Sequence, residues 1–175
     1  KNKLRILMKA FITSHFNYGA LTWMFHSRTM NHKINRLHER ALRLVYDDKN
    51  LTFQEPLLRD NTMSIHHRNL QKLAIEMFKI KKNLSPTPMN EIFKNYTSHY
   101  DLRNKRSWEV CKTRTVYFGT ETIRFRGPKT WEMLPSEIKK SNTLEEFRIK
   151  IKNWVPQDVP VDCAKFLFQN LVSWN

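Results

Sequence analysis

Glycine is scarce, with three residues in 175: Gly19, Gly119 and Gly127. A glycine-rich phosphate loop needs several close together, so that backbone N–H groups can cradle phosphate, and is excluded. Cysteine is scarcer still, only Cys111 and Cys163. A disulfide scaffold is excluded. There is no Cys-x-x-Cys, no His-Glu-x-x-His and no Gly-x-Ser-x-Gly. The spacings of common zinc sites and of a serine nucleophile elbow are therefore missing. No apolar run approaches the roughly 18–20 residues that span a bilayer. Residues 1–16 are basic and apolar, but Lys9 and His15 interrupt them and no small-residue cleavage pattern appears, so no signal peptide is read. Acid is also in short supply, 16 Asp+Glu against 31 Lys+Arg.

The remainder suits a folded chain. Hydrophobic residues make up 40% and aromatics 12%, enough for a packed interior. The length fits one domain, or two small subdomains. The few cysteines, read as reduced thiols, predict an intracellular protein of the nucleus or cytoplasm. The chain starts with Lys rather than Met and is read as a fragment of something longer. A net charge of +15 repels itself in a compact state and predicts an anionic partner. Nucleic acid is the first candidate and an anionic membrane surface the second. Residues 1–46 carry +8 and residues 94–130 carry +6, whereas 131–175 are neutral.

Helical spacing places a first helix over 2–16, with Leu4, Leu7, Met8, Phe11 and Ile12 on one side and Gly19 as breaker. A helix over 31–46 is predicted with Ile34, Leu37, Ala41 and Val45 inward, Leu44 at the edge, and Lys33, Arg36, Arg40 and Arg43 outward. Thr52 to Glu55 has a capping-box pattern, and Pro56 is tolerable in the first turn behind it. Ser64 is expected to cap a helix over 65–82 that turns Leu70, Leu73, Ala74, Met77 and Phe78 inward. Met89–Phe93 reads as a short helical turn, and 95–112 as loop. Thr113–Phe118 and Thr122–Arg126 alternate β-branched and aromatic residues around Gly119-Thr120 and read as a β-hairpin. Asn142 is the expected cap of a last helix with Leu144, Phe147, Ile151 and Trp154 on one stripe. The tail, with Phe166, Leu167, Phe168 and Leu171, is a candidate docking helix.

Tyr46-Asp47-Asp48 invites comparison with paired carboxylates that hold two metal ions about 4 Å apart. Polymerases of the reverse-transcriptase type carry Tyr-x-Asp-Asp on a hairpin. Here the intervening residue is missing and the context is a helix end, so a polar Asx turn through Asp47, Asp48 and Asn50 is expected. His66 and His67, adjacent on a helix, point about 100° apart and do not share a metal easily. One half-buried and one exposed histidine is expected. Cys111 has no identifiable catalytic partner.

The strongest signal is the mixing of bases and aromatics over 103–129. Arg103, Lys105, Arg106, Arg114, Arg124 and Arg126 are interleaved with Trp108, Tyr117, Phe118 and Phe125. Cations neutralise phosphate and aromatic faces stack on unpaired bases. Each single aromatic is expected in the core. The basic surface as a whole is expected to meet nucleic acid through shape and phosphate, without a base code.

Seven stretches, in order, resemble the C-terminal part of non-LTR (LINE-type) retrotransposon reverse transcriptases. They are residues 9–18 with Trp23-Met24-Phe25; Ile34 to Arg43; Ile65 to Gln71; Leu102-Arg103-Asn104; Arg114 to Glu121; Gly127 to Trp131; and Leu134 to Lys139. The likeness covers about residues 3–155. It implies a helical thumb and post-thumb segment that follows the palm and grips primer–template through its backbone. It also implies an RNA-directed DNA polymerase parent whose catalytic aspartates and Mg lie in the palm. This chain would lack those aspartates and be inactive alone. Relatives often have Cys-Pro where Gly19-Ala20 stands here, and closely spaced cysteines near the end where only Cys163 stands. The metal- or RNA-binding role of those cysteines is not carried over.

The expected fold is mainly α: a helical thumb-like bundle over 1–93, then a small α+β lobe over 94–175 with a basic loop, one β-hairpin and C-terminal helices. The expected nucleic-acid contacts are Lys33, Arg36, Arg40, Arg43, Arg103, Lys105, Arg106, Arg114, Arg124 and Arg126. No catalytic residue, metal or cofactor is assigned to this chain. The expected partners are an RNA/DNA duplex or single strand and a missing N-terminal palm and fingers domain, with no membrane and no small-molecule substrate. The competing expectation is a stand-alone basic module that binds acidic protein or membrane surfaces.

Overall fold

The computed structural model describes residues 2–25, 28–50, 54–60, 62–97, 107–115 and 119–155, the Arg28 side chain excepted. The fold is mainly helical, as expected. Two compact units divide at Asn69/Leu70, inside a helix, whereas the sequence reading places its lobes on either side of 93/94.

In the first unit, α1 (Asn2–Leu7) runs into a π-helical stretch (Met8–Thr13) and α2 (Ser14–Asn17). Gly19, at φ 52°, takes the left-handed conformation that glycine adopts without steric cost, and breaks the chain before α3 (Ala20–Trp23). The long helix α4 (Arg28–Tyr46) and the short α5 (Gln54–Arg59) follow. Pro56 lies in the first turn of α5; the capping residue expected at Thr52 lies outside the described residues. Met8, Ala41, Leu42, Val45 and Leu57 form a core cluster, with Ile12 and Tyr46 packed against it.

Two apolar stripes differ from expectation. In the first helical stretch Met8 is buried, but Leu4, Leu7 and Phe11 are exposed. In α4 the inward stripe is Asn31, Asn35, His38, Ala41, Leu42 and Val45, and Leu37 is exposed. The stripe keeps its 3.6-residue period but is rotated, because packing buries three polar side chains that hydrophobic counting assigns to solvent. The helix ends as expected in a polar turn. Asp47 is left-handed at φ 56°, and the Asn50 N–H donates to Asp48 Oδ1 at 2.9 Å.

The helix α6 (Ile65–Lys81) starts at Ser64, whose Oγ accepts the His67 N–H at 3.3 Å. Both His66 and His67 are buried, not one of the two. In the second unit Leu70, Leu73, Ala74, Met77 and Phe78 of α6 point inward as predicted. Asn83 at φ 56° ends this helix, with the Leu84 N–H returning to the Lys79 carbonyl, and α7 (Thr87–Ile92) follows. Asn95 and Trp108 form an isolated antiparallel bridge, the one β pairing among the described residues.

The hairpin expectation is corrected. Thr122–Arg126 is not a strand; Thr122 is the extended residue before α8 (Ile123–Glu132). Residues 116–118 of the other expected strand lie outside the described residues. The β-branched alternation is overridden by burial, since Phe125, Arg126, Gly127, Pro128, Thr130 and Trp131 pack inward from helical positions. Gly127 matters here: a side chain would place its Cβ 2.7 Å from Met77 Sδ and 3.2 Å from the Phe93 ring.

Trp131, fully buried, stacks on Phe147 at 6.0 Å, and Phe147 stacks on Phe78 at 4.4 Å. The Trp131 indole N–H donates to Ser107 Oγ at 3.2 Å. After α9 (Ser136–Lys139), the cap of α10 (Leu144–Lys152) is Thr143 rather than Asn142; its Oγ1 accepts the Glu146 N–H at 3.2 Å. The Gln71 side chain donates to the carbonyls of Lys152 and Trp154 and ties that end to α6. The tail with Phe166, Leu167, Phe168 and Leu171 lies outside the described residues.

Candidate nucleic-acid interface

Spacings of three, four and three residues set Lys33, Arg36, Arg40 and Arg43 on one side of α4. Lys33, Arg36 and Arg40 are exposed, and their axial span is about 10 Å. Arg43 is half-buried and donates to Glu39, one turn back, at 2.8 Å. Glu39 is the one acid in α4, so Arg43 is the cation of the four whose charge is locally balanced. His32 is exposed one turn before Arg36 and shares this side. Charge counting passes over it because a neutral imidazole adds nothing; its spacing of four from Arg36 is the signal that finds it.

The face beneath is built so that this row stays outward. His38 is buried and its pKa is lowered to about 4, first by loss of solvent and second by the Arg68 cation. It is therefore neutral at pH 7 and adds no charge to the helix. Its ring lies 6.3 Å from that of Phe16. At the C-terminal end Tyr46 holds the helix in place. Its hydroxyl donates to Asp60 Oδ1, which also receives the Arg5 guanidinium. Burial and the Asp60 bond raise the Tyr46 pKa, and Arg5 opposes that rise. Tyr46-Asp47-Asp48 is thus an anchor and a turn. Among the described residues no three of His, Cys, Asp and Glu gather as a metal site.

In the second unit Arg114 and Arg124 are exposed, the latter on α8. Arg126 is not a surface cation. It is 2% exposed, pairs with the Glu121 carboxylate, and donates from Nε to the Thr120 carbonyl at 3.3 Å. The expected strand that would have exposed it is instead helical. Arg103, Lys105 and Arg106 lie outside the described residues, as do Tyr117 and Phe118. Trp108 and Phe125 are buried and serve the core, Trp108 edge-on to Phe93 and Phe125 beneath the Lys129 ammonium. No stacking platform for bases is formed by these two rings.

The geometry can neutralise phosphates along one helix. Among the described residues, no helix is long and apolar enough to cross a membrane. The chain matches no protein-family model, no curated protein and no solved structure.

Proposed function

We propose that this chain is the thumb and post-thumb part of a non-LTR reverse transcriptase and grips the backbone of an RNA/DNA primer–template. The observation that carries the reading is the exposed Lys33–Arg36–Arg40 row on a long helix whose opposite face is buried. Such a row offers charge at fixed intervals to a phosphate backbone and carries no sequence information. The exposed apolar residues Leu4, Leu7 and Phe11 give a face for a palm domain to cover, since a contiguous apolar patch on a surface marks an interaction site. Catalysis, with its Mg, then resides in the palm, and this chain positions the duplex.

Competition tests the reading. A labelled RNA–DNA hybrid bound to the protein is challenged with excess unlabelled hybrid or with phosphatidylserine vesicles at equal anionic charge. Displacement by hybrid and not by vesicles is expected. Equal displacement by both would reduce the surface to a general anion binder.

A further inference from the structure

The outer side of α4 carries more than its cations. Leu37 is 54% exposed and Leu44 is 74% exposed. They stand seven residues apart, about 10 Å along the axis. Met30, 48% exposed, lies one further heptad back. These are not spare core positions, because the inward stripe is filled by Asn31, Asn35, His38, Ala41, Leu42 and Val45. A phosphate backbone has no use for a row of leucines, which loses water only against an apolar surface.

Position on the helix narrows the partner. At 100° per residue, the crest opposite the buried stripe falls on Arg36 and Arg40. The leucine row lies roughly 70° to one side of that crest. A flat surface laid on the helix meets the cations first and leaves the flank uncovered. A rod lying alongside meets both. A seven-residue repeat is the spacing at which two helices keep one seam in register. Charge supplies the remaining constraint: Lys33, Arg36 and Arg40 border the leucines, and the single acid of the helix, Glu39, is bonded to Arg43.

We infer that this flank of α4 docks an acidic amphipathic helix of a partner protein, its apolar residues on Leu37 and Leu44 and its carboxylates against Lys33, Arg36 and Arg40. The contact is separate from the duplex grip in its leucines and shares its cations, so the two partners compete.

The test uses the full chain and a labelled peptide of about 21 residues, with leucines at heptad a and d positions and glutamates flanking them. A scrambled peptide of the same composition is the control. Leu37→Ser/Leu44→Ser is expected to weaken the designed peptide about tenfold or more, because two apolar contacts are lost. The same variant is expected to bind RNA–DNA hybrid within about twofold of the parent, which also reports that it folds. Lys33→Gln/Arg36→Gln/Arg40→Gln is expected to weaken both ligands. Equal binding of the scrambled peptide, or peptide binding indifferent to the leucines, overturns the inference. Leucine-dependent binding to phosphatidylserine vesicles without such binding to the peptide also overturns it and assigns the flank to a membrane surface.

Discussion

The Tyr46 hydroxyl donates to Asp60 Oδ1 at 2.6 Å, and the Arg5 guanidinium reaches the same oxygen at 2.7 Å. The guanidinium carbons of Arg5 and Arg59 also stand over the Tyr46 ring, at 5.9 and 5.7 Å. One carboxylate thereby joins α1, the end of α4 and the residue after α5. Tyr46→Phe removes two hydrogen bonds, the one donated to Asp60 and the one accepted from Arg5 at 3.2 Å, and is expected to lower the unfolding free energy by about 1–2 kcal/mol. Asp60→Ala leaves two donors without their acceptor and is expected to cost more, about 1–3 kcal/mol. Urea titrations measure both; an Asp60→Ala protein as stable as the parent would remove the anchor from the account.

His38 makes stability pH-dependent with a defined sign. Its pKa is 6.5 when unfolded and about 4 when folded. Between these values the unfolded chain binds more protons than the folded one, so stability rises with pH. The contribution is complete above pH 6.5 and is lost as pH falls toward 4, with a size of about 3 kcal/mol. Burial lowers the His67 pKa as well and acts in the same direction. Denaturant midpoints from pH 7.5 to 4 are expected to fall steeply in the parent and less so in His38→Gln. A parallel profile in the two proteins would contradict the assignment.

Arg124 and Arg126 are two residues apart and are expected to behave as opposites. Arg126→Gln breaks a buried pair with Glu121 and is expected to cost about 3 kcal/mol or more of stability. Arg124→Gln removes an exposed charge and is expected to stay within about 0.5 kcal/mol of the parent. Thermal unfolding of the two variants side by side checks this. Equal melting temperatures would return Arg126 to the surface.

Gly127→Ala is expected to destabilise by about 1–3 kcal/mol, since the new methyl group must displace the Met77 sulfur and the Phe93 ring. A neutral or stabilising result would show that the packing between α6 and α8 yields freely.

Helices were legible wherever apolar spacing and burial agree. The stripe of α6 and the stripe of Phe147, Ile151 and Trp154 follow directly from sequence. The Ser64 cap follows because one hydroxyl precedes one orphan N–H. In α4 the helix itself was legible but its inward face was not. Asn31, Asn35 and His38 read as solvent-facing by chemistry, and tertiary packing buries them, rotating Leu37 outward. The Thr122–Arg126 segment misled for another reason. Two-residue alternation is a local signal, whereas the helix there packs through non-local contacts of Gly127 with Met77 and Phe93 and of Trp131 with Phe147. The same mistake placed Arg126 among the phosphate contacts. Of the candidate site, the α4 cations were legible because spacing of three and four residues fixes a helix face regardless of what covers the other side.

The most direct test of the duplex grip is the salt dependence of hybrid binding by the parent and by Lys33→Gln/Arg36→Gln/Arg40→Gln. Affinity for an RNA–DNA hybrid is measured by fluorescence anisotropy from 50 to 300 mM potassium chloride (on the order of the range over which such contacts weaken). The account predicts a linear fall of log affinity with log salt for the parent. It predicts a slope shallower by about 2–3 in the variant, because each phosphate contact contributes about 0.9 on a duplex. An unchanged slope, or no binding by the parent at the lowest salt, would contradict it.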